Sequence, residues 1–242
     1  MKHVPLLLRE MVALRNDEAA TGMMRFFKTG QGEYGEGDRF LGVRVPVTRA
    51  VVKRIWRETT MEDLEVCIAS SWHEVRLAAL LTLNHIYKNA RKDPTRQRAC
   101  IDFYLSHTDG INNWDLVDLS CYELLGSWLL DKDRRILYDM AREDGKLWRQ
   151  RIAIVTTMQF LRHGETRDTY ALADILMCHP HDLIHKAVGW LLREAGKRNE
   201  AELIAYLGIH AAVMPRTMLR YAIERLPDSD RSRLLAIPRQ HR

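Results

Sequence analysis

No apolar run in this sequence approaches the length of about 20 residues that a bilayer-spanning helix needs. The amino-terminal stretch Met-Lys-His-Val-Pro-Leu-Leu-Leu-Arg-Glu is interrupted too early for a secretory core. Neither a membrane span nor export is expected, and the default location is the cytoplasm. Cysteine is scarce: Cys67, Cys100, Cys121 and Cys178 lie far apart and form no Cys-x-x-Cys pair. That excludes a disulfide framework and a zinc ribbon, and leaves four thiols expected to be reduced and buried. A glycine-rich loop ending in Gly-Lys-Ser or Gly-Lys-Thr is missing, which argues against nucleotide hydrolysis. Long runs of alternating β-branched residues are missing as well, so nothing supports a sheet.

What is present is a helical pattern. Apolar residues recur at three- and four-residue steps in segment after segment, and the breaks fall at short polar clusters. These are Lys28 to Asp38, Lys92-Asp93-Pro94, His107 to Gly110, Asp131 to Arg134, Glu143 to Gly145, His163 to Glu165, Cys178 to Asp182 and Lys197 to Asn199. They delimit about twelve helices of ordinary length, so the expected class is all-α. Lys28 to Asp38 is the longest irregular piece and follows an amino-terminal helical pair. It serves either as a solvated connector or as a loop that contacts a partner. With 242 residues and 46% hydrophobic content the chain can bury a sizeable core, and residues 1–242 are expected to form one helical-repeat domain. The formal charge of +5 permits a polyanionic partner without requiring one.

Five segments of the chain superpose on one another: Arg76-Leu-Ala-Ala, Asp118-Leu-Ser-Cys, Arg151-Ile-Ala-Ile, Lys186-Ala-Val-Gly and Arg220-Tyr-Ala-Ile. Their first residues are 42, 33, 35 and 34 positions apart, the period of stacked helical hairpins. Two positions on, each carries a small or slender residue, Ala78, Ser120, Ala153, Val188 and Ala222, as close helix packing demands. Trp72 and Trp114 stand four residues before the key position and Trp148 three before it. A curved solenoid of antiparallel helical hairpins accounts for this better than a closed bundle, which remains the alternative.

In a solenoid the equivalent positions form a stripe along one wall. Here it would consist of Arg76, Arg151, Lys186 and Arg220, interrupted by Asp118. Bases in such a register can follow a phosphate backbone without choosing a sequence. Taken singly, each is equally well explained as a solvated charge or as the partner of a nearby carboxylate.

The interrupting acid has its own setting. On a helix starting near Asn113, the buried stripe would be Val117, Cys121, Leu124 and Trp128. Asp118 then lies roughly a quarter-turn from its centre and Asp115 near the opposite side. Trp114 precedes Asp118 by one turn and projects on the same side. The plain alternative makes Asp115 a helix-start acid, Trp114 half-buried core and Asp118 a member of a structural ion pair. A lone carboxylate beside aromatic and basic groups suits stabilisation of positive charge at an anomeric carbon. Ordinary glycoside hydrolysis usually requires a second carboxyl as acid for the leaving group. A base that already carries a positive charge leaves neutral and needs none.

Four stretches taken together resemble the AlkD-like family of DNA alkylation-repair glycosylases. They are Phe40-Leu-Gly-Val-Arg-Val-Pro46, Asn112-Asn-Trp-Asp-Leu-Val-Asp118, Trp148-Arg-Gln-Arg-Ile-Ala153 and Lys186-Ala-Val-Gly-Trp-Leu-Leu-Arg-Glu194. The resemblance spans nearly the whole chain. It implies HEAT-like repeats with a basic concave face that holds duplex DNA, and hydrolytic release of N3- or N7-alkylpurines without a deep base-flipping pocket. It places the catalytic carboxylate on Asp118 and the aromatic contacts to the sugar-phosphate backbone on Trp114 and Trp190. Arg151 becomes the arginine at the neighbouring phosphate, and Tyr34 the amino-terminal aromatic contact. Some relatives with this fold lack glycosylase activity, so a DNA- or RNA-binding scaffold is the alternative function. The implied partner is duplex DNA containing alkylated purines, bound by a monomer that is nucleoid-associated when on DNA, and no cofactor is called for.

Two other candidates carry less. Cys178-His179-Pro180-His181, with His185 one turn on, superficially resembles a zinc cluster, but the pieces straddle a helix end and a proline turn and read better as a polar interhelical turn. No metal is expected. Ser120 occupies the small packing position and has no histidine in its helix, so serine hydrolase chemistry is unsupported.

Overall fold

The computed structural model describes residues 4–239. Among them the chain is all-α: helices joined by short connections, with no strand beyond one isolated bridge between Arg39 and Trp72. It divides into two compact units, the first ending at Ser120 and the second beginning at Cys121.

The first unit opens with the helical pair Leu6–Val12 and Asp17–Phe26, followed by an irregular stretch. It continues with helices Val45–Ile55, Met61–Ile68, His73–Asn89, Pro94–Ser106 and Trp114–Asp118. The caps explain the boundaries. Asn16 accepts from the Ala19 N–H, Thr60 and Asp63 form a reciprocal capping box, and Asp93 caps a helix whose first residue is Pro94. His73–Asn89 is the central element and packs against helices 45–55, 61–68, 94–106 and 114–118. Every residue from His73 to Asn84 is buried, so its first three turns are covered on every side.

One carboxylate fixes the last part of the irregular stretch. Buried Glu74 accepts from the backbone N–H groups of Leu41, Gly42 and Val43 at 2.8, 2.8 and 3.0 Å, so the Phe-Leu-Gly-Val segment wraps the start of the central helix. Gly42 has φ +85°, and a Cβ there would lie 2.1 Å from the Asn16 carbonyl oxygen. No other residue fits.

In the second unit, helices Leu147–Thr156, Asp182–Gly196 and Arg216–Ala222 carry three of the superposed segments. The middle one packs directly against the other two, with Arg167–Leu176 and Glu200–His210 as the returning helices. Equivalent helices of successive hairpins therefore stack side by side, the arrangement of a helical repeat. The five small positions Ala78, Ser120, Ala153, Val188 and Ala222 are all fully buried.

Two local expectations change. The helix drawn from Asn113 to Trp128 is instead a five-residue α-helix, Trp114–Asp118, and a separate π-helical turn, Tyr122–Gly126. At Gly126 a Cβ would sit 2.7 Å from that of Gln159, a contact tighter than any side chain accepts. Cys67, Cys100 and Cys121 are buried thiols as expected, but Cys178 is exposed, because it falls where the helix Arg167–Leu176 has already ended.

Candidate active site

The two acids of the Trp-Asp-x-x-Asp pattern part company. Asp115, expected on the outer side of its helix, is 4% exposed, and its Oδ2 lies 2.9 Å from His73 Nε2. The other ring nitrogen of His73, Nδ1, lies 2.9 Å from Asp38 Oδ2. The first turn of this five-residue helix faces the core instead of solvent, with Asp115, Leu116 and Val117 all buried. Asp118, one turn further and on the same side as Trp114, is half-buried, as Trp114 is. Of the pair, Asp118 is the acid that keeps a solvent-accessible surface.

Burial opposes a charge on His73, but the flanking Asp115 and Asp38 outweigh it and hold its pKa up at about 9. The ring is an imidazolium at neutral pH. Burial likewise opposes ionisation of Asp38. His73 and Arg76 override it and keep the carboxyl below its ordinary range.

Arg76 was expected on a solvent-facing basic stripe. It is 5% exposed instead, and its guanidinium is surrounded by acceptors. Nε donates to the Gly110 carbonyl at 3.1 Å and Nη1 to the Ser70 carbonyl at 2.8 Å. Nη2 donates to Asp38 Oδ1 at 2.6 Å and to Asn112 Oδ1 at 2.9 Å. The helix turns around Arg76 are buried on every side, which leaves the guanidinium no route to water. Arg76 is an internal cation of the first unit.

An aromatic column runs beside this network. His73 stacks on Phe40 with ring centres 4.4 Å apart, Phe40 on Phe27 at 4.9 Å, and Phe27 on Trp114 at 5.3 Å. Phe26, which sequence reasoning did not single out, packs edge-on against Trp114 at 5.9 Å and is 64% exposed. An apolar ring so exposed at the end of an amphipathic helix is the signal that could have found it. Tyr34, in the glycine-rich loop, is half-buried.

In the second unit Arg151 departs from the stripe as well. It is 5% exposed, and its Nη1 donates to the Leu183 carbonyl at 2.6 Å. Its helix, Arg-Ile-Ala-Ile-Val-Thr, is again apolar on most faces. Lys186 is half-exposed and pairs with Asp182 one turn before it, Nζ to Oδ2 2.7 Å. Trp190 is half-buried one turn after Lys186 on the same helix, and Arg220 is exposed. The preceding Gly189 lets the stacked helices touch: a Cβ there would lie 2.5 Å from the Met218 carbonyl oxygen. The histidines of the Cys-His-Pro-His turn are used locally. His181 accepts from the Leu183 N–H and caps the helix, His179 Nε2 meets Gln150 Oε1 at 3.0 Å, and His185 Nε2 meets the His179 carbonyl at 2.5 Å. Among the described residues no three metal-ligating side chains converge.

A family model described as DNA alkylation repair enzyme matches residues 7–226, nearly the whole chain. The chain belongs to the DNA alkylation repair enzyme family. Among solved structures, the "Predicted DNA alkylation repair enzyme from Enterococcus faecalis" superposes with a TM-score of 0.69 at 18% identity, over 88% of this chain and 97% of that one. At that identity the likeness establishes a common fold. Curated proteins give no match. The family supports a role in DNA repair for the chain. No helix among the described residues is long and apolar enough to cross a membrane.

Proposed function

We propose that the protein is a monofunctional DNA glycosylase that hydrolyses the N-glycosidic bond of cationic N3- or N7-alkylated purines in duplex DNA. The observation that carries this is the division of labour between the two acids. Asp115 is buried against His73, while Asp118 keeps an accessible surface beside an indole. Such a carboxylate stabilises the positive charge that grows on the deoxyribose as the bond from C1′ to the purine nitrogen breaks. The bonding electron pair goes to the purine and cancels its formal charge, so the base leaves neutral and no general acid is required. Asp118 then orients a water whose oxygen bonds to C1′. The proton that water releases goes to the carboxylate or to solvent, and an abasic site remains.

The half-buried indoles Trp114 and Trp190 are the proposed contacts to the sugar-phosphate backbone, with Tyr34 as an amino-terminal aromatic contact. Lys186 and exposed Arg220 are the proposed cations for neutralising phosphates. Buried Arg151 contributes through its positive field at the same register. Arg76, enclosed by four acceptors, is not assigned a DNA contact. The protein acts as a monomer, without cofactor, in the cytoplasm and on the nucleoid. The test is incubation with methylated duplex DNA followed by detection of abasic sites and free base. Abasic product is expected. Salt-sensitive duplex binding with no product would replace this function with that of a non-enzymatic nucleic-acid-binding scaffold.

A further inference from the structure

The helix that carries Trp114 and Asp118 has only five residues. A helix of that length does not hold its own conformation, so its orientation comes from what it is tied to. Three of the ties come from one neighbour, the central helix His73–Asn89. Asn84 donates to the Leu119 carbonyl at 2.9 Å just past its end, and Arg76 holds Asn112 at 2.9 Å just before its start. His73 grips its first turn through Asp115 at 2.9 Å.

His73 also reaches this helix by a second route. Its ring stacks on Phe40, Phe40 on Phe27 and Phe27 on Trp114, at 4.4, 4.9 and 5.3 Å. Trp114 and Asp115 are adjacent in the chain, so the contacts close into a loop that begins and ends on His73. The imidazole edge fixes the carboxylate of Asp115, and the imidazole face, through two phenyl rings, fixes the indole of Trp114. The charges around the loop balance, with Asp38 and Asp115 negative and Arg76 and His73 positive. Glu74 next door is engaged by three backbone N–H groups of residues 41–43. A balanced, hydrogen-bonded network of this kind favours one geometry over alternatives, since any displacement leaves a buried charge unpaired.

We propose that His73 is a positioning residue for the reaction centre: held between Asp38 and Asp115, it sets the orientation of Trp114 and, one turn on, the carboxylate of Asp118. The role assigned to Asp118 rests on the glycosylase function proposed above, whereas the orientation of Trp114 does not. His73 touches no DNA in this account. It acts through Asp115 and through the phenyl rings.

The experiment compares the wild type with two variants, His73→Gln and the charge-balanced pair His73→Gln with Asp115→Asn, which keeps the network neutral if the single change does not fold. Each is followed by single-turnover release of 7-methylguanine at saturating protein and by the indole N–H resonances of 15N-labelled protein, with Trp114 assigned through its loss in Trp114→Phe. Positioning predicts a rate constant per folded molecule lowered roughly tenfold to hundredfold, with full reaction amplitude and duplex affinity within a few-fold of wild type. It also predicts a shifted or broadened Trp114 resonance, while Trp148 and Trp190 stay in place. Lowered thermal stability with an unchanged rate constant and an unmoved Trp114 would overturn the proposal and leave His73 a plain core residue. If the wild type itself releases no base, the glycosylase function fails instead, and the Trp114 resonance still decides whether His73 sets that side chain.

Discussion

His73 Nε2 and Asp115 Oδ2 lie 2.9 Å apart with both residues buried, and this contact divides the two acids of the Trp-Asp-x-x-Asp pattern into a structural and an accessible member. The same contact governs how the first unit responds to pH. His73 titrates near 6.5 when unfolded and at about 9 when folded, because its two carboxylates outweigh burial. Its contribution is therefore fully present below pH 6.5 and is lost as pH rises through 9. The interval corresponds to about 3 kcal/mol. Asp38, whose folded value lies below the ordinary 3.8, acts in the opposite sense: its contribution is present above 3.8 and is lost as pH falls through the folded value. Urea unfolding across pH should show a decline from 6.5 to 9 in the wild type that is flattened in His73→Gln. Parallel curves would show that the imidazolium does not contribute.

Arg76→Ala should destabilise the protein by about 3–5 kcal/mol, because it removes one of the two cations bonded to the buried Asp38 carboxylate. Arg220→Ala, at an exposed position, should change stability by no more than about 0.5 kcal/mol. On duplex DNA the pattern should invert. Arg220→Ala lowers the magnitude of the slope of log affinity against log salt by about 0.9, while Arg76→Ala, measured at a temperature where it is folded, leaves the slope unchanged. Salt titrations of the three proteins check this.

Glu74→Gln removes a carboxylate that accepts three backbone N–H groups and puts in its place an amide with one acceptor oxygen. A loss of about 2–3 kcal/mol is expected. Faster amide exchange at Leu41, Gly42 and Val43 should accompany it. Unchanged protection at these three amides would contradict the role given to Glu74.

Alanine normally stabilises a helix relative to glycine by about 1 kcal/mol. Gly189→Ala should do the reverse, since the added methyl would lie 2.5 Å from the Met218 carbonyl oxygen and 2.6 Å from the Tyr221 Cβ. A net loss of about 1–3 kcal/mol is expected from the overpacking, with weaker duplex binding as the neighbouring Trp190 is displaced. Thermal unfolding and a duplex titration of this one variant check both.

The repeat was legible in the sequence because its strongest signal is packing, which acts at fixed positions. Ala78, Ser120, Ala153, Val188 and Ala222 are buried wherever the superposition placed them. The charged stripe was legible only in part, since register says which side of a helix a residue lies on and not how much of that side is covered. Arg76 and Arg151 sit in segments apolar on most faces, Val-Arg-Leu-Ala-Ala-Leu-Leu and Arg-Ile-Ala-Ile-Val, and that uniform apolarity marked them as internal. Lys186 and Arg220 keep exposed surface. The Asp38, His73 and Asp115 bridge joins residues 35 and 42 positions apart, so no local period announces it. The break after Asp118 escaped because the apolar spacing of Val117, Cys121 and Leu124 continues through it.

If Asp118 carries the chemistry, Asp118→Asn suppresses base release and leaves the fold and duplex binding in place. Wild type and variant are incubated with duplex DNA bearing N7-methylguanine, at protein concentrations that saturate the DNA, and free base is measured over time. The variant is expected to fold and to bind the duplex within a few-fold of wild type, yet to release 7-methylguanine more slowly by roughly a hundredfold or more. Equal release by the two proteins would contradict that role for Asp118.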